Sequence, residues 1–453
     1  MRKLFTTLSN IWKIEDLRTR ITNTLLFLVI YRIGSFVVLP GVNYATLKTG
    51  TGKEGLAGLL NMFAGGSFSR ASIFALGVMP YISASIVVQL LGIAVPYFTK
   101  LQKEGESGRN KLNQWTRYLT IGITALQAIA YVKSQLKLDG AQSQLLPGMN
   151  ATTFVIMSVF ILTAGTLFVM WLGEKITDKG IGNGISLIIM VGIIAQLPGA
   201  FASEFVTRTS GQGGLITFIV EILALIGVVM FTILIVQGTR KIAVQYAKRI
   251  VGNKQYGGVR QYIPLKVNAA GVMPIIFAQA LMFIPAYIPQ LFTSVSANPI
   301  VMGLANYSSW EHNLLFALLI IVFTYFYTAI TINPHQMADD MKKNGGFIPG
   351  VKPGKPTSEF IDGVISRITL PGSVFLAIIA IIPAFAMAIG VSNVFARFFG
   401  GTSLIILVGV VLDTLQQIES HLLMRHYDGL MKTGRITGRT AVPTAAGTTP
   451  PAI

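Results

Sequence analysis

Residues 152–202 read TTFVIMSVFILTAGTLFVMWLGEKITDKGIGNGISLIIMVGIIAQLPGAFA. Two uncharged stretches, 152–173 and 180–202, flank a short break that holds Glu174, Lys175, Asp178 and Lys179. About 20 apolar residues in helical form cross a hydrocarbon core of about 30 Å. Each stretch is therefore predicted to span a membrane, as helices over 152–172 and 183–202. The run Gly180-Ile181-Gly182-Asn183-Gly184 has a superficial likeness to a dinucleotide loop. No strand precedes it and its spacing is wrong, so it is predicted to be the turn that starts the second helix.

The same pattern extends in both directions. Residues 71–99, 140–173, 180–203, 267–310, 312–338 and 368–396 hold no Lys, Arg, Asp or Glu, and shorter apolar stretches lie near 21–39, 115–133, 213–237 and 401–420. Split at Pro, Gly and polar clusters, they predict ten helices: 21–39, 74–95, 115–133, 152–172, 183–202, 215–237, 269–290, 313–333, 370–390 and 402–421. Of the 453 residues 52% are hydrophobic and 12% charged, against about 25% charged in soluble chains. Mean hydropathy is +0.63. The class is an all-α polytopic membrane protein. With 36 basic and 18 acidic residues the net charge is +18, and no cysteine is present. That excludes disulfides, thiolate metal sites and a cysteine nucleophile. The first 20 residues carry seven charges and no apolar core, so no cleavable signal is expected there.

Basic residues favour the cytoplasmic side of membrane proteins. With the N-terminus placed inside, 28 of the 36 basic residues fall on that side and seven opposite, with Arg32 inside the first helix. Both termini are then cytoplasmic. Two cytoplasmic loops, 238–268 and 334–367, are long, basic and rich in Gly and Pro. They read either as ordinary positive-inside loops or as a docking surface for an acidic partner or RNA phosphates. Their alternation of apolar and turn residues predicts hairpins that project from the membrane. The tail, 431–453, is rich in Thr, Ala, Pro and Gly and is expected to be disordered.

Catalytic constellations are missing. The four histidines are scattered, and neither Gly52-Lys53 nor Gly354-Lys355 completes a phosphate loop. Ionisable residues within spans are few (Arg32, Glu221, Asp413), which argues against an ion-driven pump. Gln89, Gln127, Asn268 and Gln279 are polar residues within or beside spans; helix–helix hydrogen bonding accounts for any one of them alone. The segment GLAGLLNMFAGGSFSR, 55–70, is apolar but broken at Gly65-Gly66. It is too short to span, and a re-entrant segment of this kind implies a protein-lined cavity.

From Arg18 to about Lys432 the chain resembles the SecY family of protein-translocation channels. The most specific stretches are SIFALGVMPYISASIVVQLL (72–91) and WLGEKITDKGIGNGISLI (171–188). YRIGSF (31–36), NMFAGG (61–66), KEGESGR (103–109), YAKR (246–249), PLKVN (264–268) and FFGGTSL (398–404) support them. The resemblance implies ten transmembrane helices in two inverted five-helix halves, 1–212 and 213–430, around an hourglass pore. By motif position the pore ring is Val78, Ile82, Ile185, Ile189, Ile276 and Ile406. The plug, on the external side, is Asn61, Met62, Phe63, Ala64, Gly65, Gly66, Ser67, Phe68, Ser69 and Arg70. Gln89, Gln127 and Asn268 match a polar cluster that latches a lateral gate.

The two basic loops match the docking site for the motor ATPase SecA and the ribosome, at Arg240, Lys241, Tyr246, Lys248, Arg249 and Lys352. Lys352 stands where the family usually has Arg, which removes a bidentate fork and keeps the charge. SecE-like and SecG-like small subunits, signal peptides, nascent chains and the lipid bilayer are the other implied partners. The implied setting is the bacterial cytoplasmic membrane, with no cofactor and no enzymatic activity. The competing class is a secondary transporter for a small solute, which also suits inverted repeats and broken helices.

Overall fold

The computed structural model describes residues 12, 14–43, 55–135, 145, 150–211, 214–246, 249–251, 254–256, 260–291, 298–306 and 309–432. Each of the ten predicted spans falls on a helix. In chain order these are α1 (Glu15–Gly34), α3 (Met79–Ala94), α5 (Glu106–Gln135), α6 (Ala151–Lys179), α7 (Gly184–Thr209), α8 (Gly214–Gln237), α9 (Met273–Leu291), α11 (Trp310–Thr331), α13 (Lys355–Ala388) and α15 (Gly401–Lys432). Shorter helices are α2 (Gly55–Phe63), α4 (Pro96–Lys103), α10 (Pro299–Ala305), α12 (Pro334–Lys343) and α14 (Asn393–Ala396). Among the described residues, six helices are long and apolar enough to cross a membrane: α6, α7, α8, α11, α13 and α15. The α3–α4 pair, bent by 103°, makes a seventh if it counts as one span.

The predicted boundaries move where charge alone had set them. α5 starts at Glu106 rather than 115, and α13 at Lys355 rather than 370. A helix satisfies its own backbone on either side of the lipid boundary, so charged first turns do not end it. α13 also runs through Pro371 and Pro383. α3, by contrast, begins at Met79, five residues later than expected, with Pro80 in its first turn. Residues 64–78 form a chain of turns instead. Two cross-links hold them: Leu39 N–H donates to Ala71 O at 2.8 Å, and Ile73 N–H to Val37 O at 2.9 Å. The predicted helix-starting turn is present. Asn183 caps α7, its side-chain oxygen accepting from Ile185 N at 3.1 Å and Ser186 N at 3.3 Å.

The two basic loops build one domain rather than two hairpins. β1 (Thr239–Tyr246) and β4 (Arg260–Lys266) pair antiparallel, with Thr239 opposite Lys266. β2 (Arg249–Val251) and β3 (Lys254–Tyr256) form a second small hairpin. The second loop is not a hairpin: it supplies α12 and β5 (Gly346–Phe347), which extends the sheet in the order β4-β1-β5. Ile242, Val244 and Leu265 bury against Met341, Ile348 and Ile361. Strand alternation thus seats one sheet face on α12 and α13.

Candidate functional site

Ile82 on α3, Ile189 on α7, Ile276 on α9 and Ile406 on α15 line one cavity of about 10 Å³, with Phe63, Met79, Gln279 and Thr402. That is room for about one water molecule. Val78 and Ile185 sit one turn before Ile82 and Ile189 and belong to the same apolar cluster, outside the cavity lining. The structure therefore gathers four of the six predicted ring residues around one small cavity and packs the other two in the same apolar cluster.

Toward the basic-loop side lies a polar cavity of about 410 Å³. Its lining includes Asn183 and Ser186 from the start of α7 and Asp413, Thr414, Gln416 and Gln417 from α15. Gln417 ties the two walls by accepting from Gly182 N at 2.9 Å. Lys266, at the end of β4, donates to Gln416 at 3.1 Å, so the sheet domain is anchored at the mouth of this vestibule.

α2 and the turns that follow it reach the same cavity through Phe63. Met62 and Phe63 bury in the apolar cluster of the waist, whereas Ala64 and Phe68 bury in a neighbouring one with Leu39, Ala71 and Tyr131. Gly65 and Gly66 take φ of +63° and +87°, the tight turn their sequence predicts. Polar contacts hold the segment. Arg32 donates to Gly65 O at 2.7 Å and Arg70 to the same oxygen at 2.9 Å. Both guanidinium groups lie over the Phe36 ring, at 4.9 and 4.2 Å. Ser69 N–H donates to Asn61 Oδ1 at 2.9 Å, and Tyr131 Oη–H to Phe68 O at 2.7 Å. Gln196 on α7 donates to the Asn61 carbonyl. Ser67 is fully buried. Gly192 lets the segment approach α7 closely, since a Cβ there would lie 2.6 Å from Phe63 O.

The predicted polar cluster is not joined by hydrogen bonds of its own. Gln89 bonds Ser85, one turn back on α3, at 3.2 Å. Gln127 lines a separate cavity of about 20 Å³ with Leu60, Phe68 and Met79. Asn268 is buried, and its side-chain N and O meet no partner among the described residues. A helix offers Gln89 a nearer partner at i−4 than any neighbouring helix does. α3 and α9 are nonetheless in contact.

Of the predicted docking residues, Arg240, Lys241 and Lys352 are exposed. Tyr246 is half-buried and packs on the sheet core. Lys248 lies outside the described residues, and only the backbone of Arg249, in β2, is described. Arg260, Lys266, Lys342, Lys343 and Lys355 extend the exposed positive surface.

Two features are built from residues that the sequence marked only singly. One is a buried ion cluster on the side away from the basic loops. Arg208 donates to Glu204 at 2.9 Å, to Glu221 at 2.6 Å and to Gly390 O at 2.7 Å, and Glu204 accepts from Ser392 N at 3.3 Å. It pins α7, α8 and the turn after α13 together. In the sequence, Glu221 stands as a charge within a span, and the i,i+4 spacing of Glu204 and Arg208 is the other hint. The other is Gln279, which faces the constriction itself. Among the described residues, no group of three or more His, Asp or Glu is placed to hold a metal.

A helical membrane bundle with an aliphatic waist, a polar vestibule on one side and a seated apolar segment on the other defines the class of gated membrane channels. The SecY family profile matches residues 72–415. The chain is similar to Protein translocase subunit SecY of Streptomyces coelicolor, 43% identical over 443 residues, covering 95% of this chain and 100% of that one. Its fold is similar to a solved structure described as "The structure of a protein conducting channel" (TM-score 0.62, 19% identity, 89% of this chain and 92% of that one). It is also similar to Sec61 in the canine ribosome-channel complex from the endoplasmic reticulum (TM-score 0.58, 18% identity, 89% and 92%). The chain belongs to the SecY family of translocation channels.

Proposed function

We propose that this chain is a passive, gated conduit that passes unfolded polypeptides across a membrane and releases apolar segments sideways into lipid. The observation that carries this reading is the waist. Ile82, Ile189, Ile276 and Ile406 enclose a cavity of only about 10 Å³, and Phe63 forms part of the same wall. Aliphatic side chains hold neither ions nor water well, so such a constriction closes by dewetting. They offer no directional bonds and adapt to any passing side chain. Residues 61–71 act as the plug, which a polypeptide arriving from the vestibule displaces. Val78 and Ile185 extend the ring by one turn along α3 and α7.

The halves 1–212 and 213–430 part at the front, where α3 meets α9, to form the lateral gate. Gln89, Gln127 and Asn268 lie along that gate. Without bonds joining them in this structure, they set a weaker latch than three interhelical hydrogen bonds, each worth about 0.6 kcal/mol, would. A signal sequence needs to outcompete little there. The sequence holds no complete phosphate-binding loop, which supports transit driven by a partner. The exposed cations Arg240, Lys241 and Lys352 suit an acidic motor of the SecA type or ribosomal RNA phosphates; Lys248 and Arg249, in the same loop of the sequence as Arg240 and Lys241, add to its charge. The Sec61 relative in fold is ribosome-bound. SecE-like and SecG-like subunits complete the assembly in the bacterial cytoplasmic membrane, with both termini on the cytoplasmic side.

The natural chain has no cysteine, so a single introduced thiol reports position cleanly. Ile82→Cys is expected to form a disulfide with a cysteine in a precursor stalled during translocation. Ile216→Cys, at a side chain 78% exposed on α8, is not. Equal capture at both positions, or capture at neither, refutes the channel path.

A further inference from the structure

The waist is not wholly aliphatic. Gln279, on α9 one turn after Ile276, is 4% exposed and lines the cavity that Ile82, Ile189, Ile276 and Ile406 enclose. Its Nε2 meets no acceptor among the described residues. Polar groups buried at this depth are almost always partnered, and leaving a donor unpaired destabilises the state that buries it. Thr402 is the only other polar residue of the lining. The lining thus carries one amide, one hydroxyl and no charged side chain. What it offers is a hydrogen bond to a neutral acceptor.

We infer that Gln279 donates to the main-chain carbonyls of a polypeptide in transit, and that the same amide, unpaired in the sealed waist, biases the channel toward opening. The inference rests on the channel reading above. An extended chain presents a carbonyl at about every 3.3 Å whatever its side chains, so one donor at the constriction meets an acceptor on any sequence. The contact is neutral and single, and it passes from residue to residue as the chain advances. It therefore adds attraction without adding selectivity. The ring supplies the seal, and Gln279 supplies a place at the waist where threading a backbone satisfies a donor that the closed state leaves unsatisfied.

The test uses the full chain with its partner subunits and motor in vesicles. Gln279→Leu keeps the volume and removes the donor. Gln279→Met does the same with an unbranched side chain, in case the first variant packs poorly. Gln279→Asn restores a shorter amide. Both donor-free variants are expected to admit precursor about tenfold more slowly, the value of one buried hydrogen bond, with Gln279→Asn in between. Wild-type rates in both donor-free variants overturn the assignment. So does a fall in the ion leak of the idle channel with no change in precursor rate, since the donor would then serve water alone. The Ile82→Cys disulfide is read in every variant. Its loss from all of them, Gln279 included, overturns the channel path; its retention at unchanged rates overturns only the role of Gln279.

Discussion

A methyl group at Gly192 should unseat the plug. The Cβ of Gly192→Ala would lie 2.6 Å from Phe63 O and 3.1 Å from Gly65 N. Carbon and carbonyl oxygen pack at about 3.3 Å or more, so one backbone must retreat by roughly 0.7 Å. α7 is held on both sides of this position by the buried Ile188, Ile189 and Ile193. The plug, fastened by a handful of polar contacts, is the part that gives. Overpacking of this kind costs about 1–3 kcal/mol. At about 1.4 kcal/mol per factor of ten, the seated plug loses roughly five- to 150-fold in occupancy relative to displaced arrangements. The assay is single-channel current through the purified protein in planar bilayers, without precursor. Gly192→Ala is expected to open far more often than wild type. Gly199→Ala, on the same helix but with nothing within 4 Å of its Cβ, is the matched control and should stay closed. A resting current in Gly192→Ala equal to that of Gly199→Ala would refute the argument that close approach to α7 seats the plug.

Two further outcomes follow from other parts of the molecule. Arg208→Met leaves Glu204 and Glu221 buried without their cation, which costs about 3–5 kcal/mol. The melting temperature in detergent should fall, and adding Glu204→Gln and Glu221→Gln should recover part of the loss; an unchanged Tm rejects the pinning role. Arg240→Glu with Lys241→Glu should weaken binding of the motor or ribosome severalfold at low ionic strength, with the difference shrinking as salt rises. A salt-independent loss would place the effect on folding of the sheet rather than on charge.

The membrane helices were legible because their signal is chemical. A chain that must hide about 20 residues per crossing from water cannot place charges within them, so uncharged stretches located every helix from α1 to α15 that crosses. Helix ends were less legible. α13 continues 15 residues before its predicted start because nothing in its charged first turns opposes helix, whereas α3 starts late because residues 64–78 find better partners as turns. The second basic loop carried turn residues that suggested a hairpin. Its apolar residues instead complete the sheet core begun by the first loop, a contact between segments about 100 positions apart.

The site divides the same way. Gly65-Gly66, the interrupted apolar segment and the clustering of cations are visible as residues, and they announce a cavity-lining loop and a charged face. An isoleucine that lines a waist looks like any other isoleucine, and only family resemblance had singled out Ile82, Ile189, Ile276 and Ile406. By itself the sequence determined that this chain lives in a membrane and where its helices lie, because hydrophobicity is a local property. Only the tertiary structure decided that four helices bring those isoleucines to one constriction. It also decided that Gln89 bonds its own helix rather than a gate partner, that Arg208 gathers two carboxylates, and that Gln279 faces the waist with its donor unpaired. Those outcomes depend on which helix faces stand opposite one another, and that is settled by packing across the whole bundle rather than by any stretch of it.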